Sequence, residues 1–161
     1  MRIFTTHIAI LFSAIFSILT AHAGEIAPRD GWVVTKTPHA YAELYPRLKA
    51  AIKANKMGHI TTASATLGAK GRGLTIPGNR VVGVYNNVWA VRMLEASVAA
   101  GMEAPIRFYL TENTDGTSTL SYKTPSHVFT PYFADAKPDL KVMARELDAV
   151  FRAIHDDTVA Q

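Results

Sequence analysis

Cysteine is absent from all 161 residues. The chain therefore has no disulfide, thiol nucleophile, thiolate metal site, thioether-linked haem or lipid-acylated Cys, since each needs a sulfur. Long apolar runs are scarce too. The longest, Ile8–Leu19, is about 12 residues, short of the ~20 that a spanning helix needs. Charge is nearly balanced, with 17 basic and 13 acidic side chains, and no basic patch is interleaved with aromatic residues, so nucleic-acid binding is not expected. Its densest basic cluster, Arg47, Lys49, Lys53 and Lys56, has the spacing of a solvated helix face. There is no G-x-S-x-G, no S-x-x-K and no Walker loop, and of the dinucleotide pattern only Gly71-Arg72-Gly73 is met. No catalytic motif is recognisable, and no repeat of fixed period occurs.

The N-terminus carries an address. Arg2 precedes the apolar run, and Ala21-His22-Ala23 ends it with small residues at the two positions that signal peptidase reads. Residues 1–23 are expected to be a signal peptide cut after Ala23, leaving no membrane anchor and placing the protein in the periplasm or outside the cell. Residues 24–30 then form a leader, 31–157 a single domain and 158–161 a C-terminal tail.

Trp32–Thr37 is rich in aromatic and β-branched residues and predicts a first strand closed by Pro38. Over 39–57, Tyr41, Leu44, Tyr45, Leu48 and Ile52 recur at helical spacing. Pro46 should delay or kink that helix because it lacks the N–H for the Ala42 carbonyl, and Met57-Gly58 should end it. His59–Ser64 predicts a second strand, and the glycine-rich stretch 66–73 a short helix or turn. Arg80–Tyr85 predicts a central strand, followed by a helix placing Trp89, Met93, Leu94 and Val98 on one side. Ile106–Glu112 and Ser118–Tyr122 flank Asn113-Thr114-Asp115-Gly116, the signature of a β-hairpin. Pro138–Asp157 sets Leu140, Met143, Leu147, Val150, Phe151 and Ile154 on one helix face. The pattern predicts an α+β fold, one mainly antiparallel sheet covered by helices.

From about Ala42 to Pro125 the chain resembles the bacterial and archaeal family called domain of unknown function 302. The likeness is carried by Arg47-Leu48-Lys49-Ala50-Ala51-Ile52 with Met57-Gly58, by Gly68-Ala69-Lys70 ahead of Gly73-Leu74, and by Asn86 after the apolar strand. Pro105 before the hairpin, Asp115-Gly116 at its tip, and Leu120-Ser121-Tyr122 with Pro125 complete it. The resemblance implies a β-α-β4-α domain similar to one half of a TATA-binding protein, and a homodimer. It implies no reaction. Where many members have Asp-His after the second strand this chain has Ser64-Ala65, and their Gly-Asn-Pro is Tyr85-Asn86-Asn87, so no role of that His carries over.

The four His beyond the signal segment, His39, His59, His127 and His155, share no ligand spacing on one element, and neither a metal nor another cofactor is expected. His39 reads as a helix start and His155 as a solvated helix end. Glu95, Glu103, Glu112 and Asp115 read as solvated acids. The candidate binding residues are Ser64, Asn86, Tyr122 and Lys123 at strand ends, with Lys70 in the glycine-rich stretch, around a cleft between the sheet and the short helix after Asn86. The expected protein is an exported small-ligand-binding or accessory module. The alternatives are an envelope enzyme using the same cleft and a structural self-association protein.

Overall fold

The computed structural model describes residues 26–161. The expected signal peptide and its cleavage site lie outside the described residues. Five strands, β1 (Trp32–Ala40), β2 (Gly58–Ala63), β3 (Asn79–Tyr85), β4 (Ile106–Glu112) and β5 (Thr117–Lys123), form one antiparallel sheet in the order β1-β5-β4-β3-β2. The helices are α1 (Tyr41–Ala54), α2 (Ala65–Lys70), α3 (Asn87–Ala96), α4 (Pro125–Phe129) and α5 (Asp139–Val159). Apart from the three short helices this is the expected β-α-β4-α order in an α+β fold.

Alternation divides the strands between two faces. Val82, Val84, Phe108, Leu110, Leu120 and Tyr122 point to one side and are buried with Leu44, Leu48 and Ile52 of α1 and Leu140, Met143, Phe151 and Ile154 of α5. The Phe108 and Phe151 rings stack with centroids 5.1 Å apart. Each such aromatic side chain contributes about 2–3 kcal/mol by leaving water. The α5 face is the one its periodicity predicts, because one stripe of a long helix has to cover a sheet.

The β4–β5 hairpin is as read. Gly116 takes φ 80° at its tip, and Asp115 Oδ1 accepts from the Thr117 N–H at 3.0 Å.

Several local expectations are corrected. α1 begins at Tyr41 and runs on through Pro46; the proline sits on the exposed side, so the buried stripe of Leu44, Leu48, Ala51 and Ile52 continues past it. The stop is not Gly58 but Lys56, in the left-handed region at φ 58°, with Lys56 N–H donating to the Lys53 carbonyl and Met57 N–H to that of Ile52, a Schellman closure. β1 continues past Pro38 to Ala40 through an irregular register after Thr37, which an edge strand tolerates. α3 stops at Ala96 and buries Ala90, Met93 and Ala96, leaving Leu94 and Val98 exposed. α4 had no periodic signature in five residues; Thr124 caps it, its hydroxyl accepting from His127 N–H, and Pro125 opens it.

The C-terminal end carries two further corrections. Arg47 does not lie on a solvated face: its Nε donates to the Thr158 carbonyl at 3.0 Å and its Nη2 to that of Ala160, where His39 Nε2 also donates at 2.9 Å. The Arg47 guanidinium thus meets the carbonyls at the C-terminal end of α5, the negative end of its dipole. α5 runs to Val159, and Thr158 is fully buried. His155 is not a solvated helix end either; it is 8 % exposed, with Nδ1 donating to Asp156 Oδ1 at 2.7 Å and Nε2 2.8 Å from Thr35 Oγ1.

Candidate functional site

Among the described residues, the second face of the sheet carries no long helix. Register sets Ala63, Val81, Tyr109, Ser121 and Val34 in one row across it. The neighbouring row contains Gly83, Arg107, Lys123 and Trp32: Gly83 pairs with Arg107 and Lys123 with Trp32, and the β4–β5 register carried one residue further sets Arg107 opposite Lys123. Over these rows lies a cavity of about 500 Å3. Val128 of α4 and Glu103 border one end, and Ser64, Ala65 and Asn79 the other. The floor is mostly apolar, with Val81, Tyr109 and Trp32 exposing flat or branched surface.

The cleft thus lies on the open face of the sheet and not beneath α3. Of the five candidate residues, Ser64, Tyr122 and Lys123 border it, whereas Lys70 and Asn86 do not. Ser64 is the N-cap of α2: its Oγ accepts from Leu67 N–H at 3.4 Å and donates to the Asn79 carbonyl at 2.8 Å, so its hydroxyl is committed to local structure. Tyr122 reaches the border only from the other side, its ring packed against Phe108, Phe151 and His155; burial holds its hydroxyl above the usual phenol pKa. Lys123 is exposed, with Nζ 5.3 Å from the Trp32 ring centre. Lys70 is the exposed last residue of α2. Asn86 caps α3, its Oδ1 accepting from Val88 N–H at 2.9 Å, and borders only a gap of about 40 Å3 between α3 and α5.

Trp32, Val81, Arg107 and Tyr109 went unselected in the sequence. They come from three strands and share no spacing, and the one signal was the alternation that gives Trp32 with Val34, and Arg107 with Tyr109, to one face. Trp32 also has the Arg29 guanidinium 5.0 Å from its ring centre. At the α4 end, Glu103 accepts from the Tyr132 hydroxyl at 2.6 Å, and that carboxylate raises the Tyr132 pKa. The four His residues stand apart: His39 on Ala160, His59 on Thr62 at 2.6 Å, His127 beside Gly31, and His155 on Thr35. Among the described residues, no three His, Asp or Glu side chains gather as a metal site.

The family model described as domain of unknown function DUF302 matches residues 33–156, well over half of the chain. The chain belongs to the DUF302 family. A solved relative, the crystal structure of the uncharacterized conserved protein DUF302 from Bacillus stearothermophilus, superposes with a TM-score of 0.70 at 19 % identity. The match covers 80 % of this chain and 98 % of that one, and at this identity it shows a shared fold. No curated protein matches the chain. The DUF302 match extends beyond the Ala42–Pro125 segment of the sequence likeness and takes in β1 and most of α5. Among the described residues of this DUF302 protein, no helix is long and apolar enough to cross a membrane.

Proposed function

We propose that this DUF302 protein is an exported ligand-binding or accessory module that seats a small molecule on the open face of its sheet. One observation carries the reading: a concave, largely apolar cavity of about 500 Å3 on a rigid five-stranded floor, within the ~300–1,000 Å3 of small-molecule sites. Export rests on the basic start, the short apolar run and Ala21-His22-Ala23. Binding is favoured over an envelope enzyme because the two serines lining the cavity, Ser64 and Ser121, each donate to a backbone carbonyl and not to a base. Native mass spectrometry of the protein from its own host tests the reading. A co-purifying small mass supports it; a bare protein that binds nothing from a small-molecule extract counts against it.

A second reading, self-association, has its own observation. Val88, Val91 and Leu94 follow one another at three-residue spacing along α3 and are 73 %, 56 % and 45 % exposed, with Val98 and Met102 exposed just beyond. An apolar stripe of this kind suits pairing with a second copy. The same spectra report it, as a dimer that Val91→Glu converts to monomer.

A further inference from the structure

We infer that the cavity takes a small organic anion, its charged group held between Arg107 and Lys123 and its flat apolar body lying over Val81, Tyr109 and Trp32. The inference rests on the open-face cavity being a ligand site and adds the chemistry of the ligand.

The argument starts from charge. Arg107 and Lys123 are the residues next to the Phe108–Tyr122 pair on neighbouring strands, which sets them opposite each other on the same face, and both are exposed and border the cavity. Like charges directly opposite in an antiparallel pair destabilise a sheet. Two cations elsewhere in the protein are matched, Lys36 by Asp115 and Arg92 by Asp139 and Glu146; what sets Arg107 and Lys123 apart from other unpaired cations is that they border one cavity. Among the described residues neither Arg107 nor Lys123 makes a salt bridge. Arg29 adds a third cation at Trp32. Glu103, the one carboxylate among the residues lining the cavity, keeps its charge while it accepts from the Tyr132 hydroxyl, and it offsets one of these three cations. That end of the cavity therefore has an excess of positive charge with fixed strand geometry, and a carboxylate, sulfonate or phosphate fits it. A guanidinium offers a planar fork and an ammonium a mobile point charge, so the pair can meet two oxygens of one anionic group.

Away from the charged end the surface changes character. Val81 and Tyr109 stand side by side in the next row, and Trp32 supplies a ring at the β1 edge of the cationic row. The polar side chains beyond the charged end are already engaged: Ser121 donates to the Tyr109 carbonyl at 3.4 Å, and Ser64 and Asn79 bond to each other and to the start of α2. A hydrophilic multi-anion such as a nucleotide would leave its polar surface unpaired over that floor. A monoanion with an aromatic or aliphatic body would not.

Two fluorescent probes of the same skeleton test this: anilinonaphthalene sulfonate and its neutral parent, phenylnaphthylamine. The purified protein should bind the sulfonate more tightly than the neutral probe. The double variant Arg107→Gln, Lys123→Gln should lose about tenfold in sulfonate affinity with the neutral probe unchanged. Both side chains are exposed and like-charged, so the variant should melt no lower than the parent, and Arg107→Lys should retain much of the sulfonate affinity. If the neutral probe binds and the sulfonate gains nothing from Arg107 and Lys123, the anion assignment is overturned while the cavity stands. If neither probe binds, the cavity reading falls, and the anion assignment with it.

Discussion

Asn86 donates its side-chain amide across 2.9 Å to the carbonyl of Lys56, the residue that closes α1 in a left-handed conformation. Its other amide atom, Oδ1, accepts from Val88 N–H at 2.9 Å. One side chain thus caps α3 and fastens the α1–β2 turn. Asn86→Ala removes a cap and leaves a carbonyl without its donor, and is expected to cost about 1–2 kcal/mol. Urea unfolding should register the loss, while binding in the open-face cavity should be unaffected. The reverse pattern, unchanged stability with lost binding, would make Asn86 a site residue after all.

Lys56 itself offers the complementary change. A lysine at φ 58° bears the left-handed penalty of about 1 kcal/mol that glycine escapes. Glycine loses more chain entropy on folding, which offsets part of the gain. Lys56→Gly is therefore expected to raise the melting temperature by a degree or more, and a fall would mean that the Lys56 side chain contributes packing.

His155 lies between the end of α5 and β1, with Thr35 Oγ1 on one ring nitrogen and Asp156 on the other. Its ring also faces Tyr122 at 5.9 Å between centroids. His155→Ala opens a void beside Tyr122 and leaves Thr35 without a partner, a combined loss of about 2–4 kcal/mol. His155→Gln keeps a polar group of similar reach and should recover part of that. Equal losses for both variants in chemical unfolding would show that ring packing alone matters.

These residues also show where sequence was legible. The strands, the α5 stripe and the Asp115-Gly116 hairpin were readable because period and turn chemistry act locally. His155 was misread because its neighbours in sequence, Asp156 and Asp157, are exposed, and its burial depends on Thr35, 120 residues away. Arg47 was misread for the same reason, since its partners are carbonyls at the other end of the chain. The cavity was half legible. Strand ends were a sound place to look and gave Ser64 and Lys123, but the floor is assembled by strand order, and nothing in one sequence fixes that β4 lies between β3 and β5. Asn86 and Lys70 were polar residues in loop-like segments, and there local capping accounts for Asn86.

Gly31 supports the rim of the cavity. It takes φ 74°, and a Cβ there would lie 2.1 Å from the His127 ring. Its carbonyl accepts from Thr124 N–H at 2.8 Å, tying the start of β1 to the start of α4. Gly31→Ala must both enter the left-handed region and displace His127, with an expected cost of about 2–3 kcal/mol. Gly31→Ala with His127→Ala should regain part of it in thermal melts, because only the ring clash is relieved. No recovery would locate the penalty in the backbone and in the contact with the remaining residue-127 Cβ, 2.6 Å away.

The hairpin tip gives a pH-dependent prediction. Asp115 is held well below the usual carboxylate range, first by its bond to the Lys36 ammonium at 2.8 Å and then by the Thr117 hydroxyl and N–H. A carboxylate whose pKa is lower in the folded chain stabilises it at pH values above the unfolded pKa of about 3.9, and that contribution disappears as pH falls through the folded value. Asp139, lowered by Arg92, acts in the same direction. Unfolding curves of the parent and of Asp115→Asn should therefore differ by a constant amount from neutral pH down to about pH 5 and converge below about pH 3.9. Asp115→Asn keeps the shape of the side chain, so a gap that persists unchanged at pH 2 would assign the effect to hydrogen bonding at Thr117 and not to the charge on Asp115.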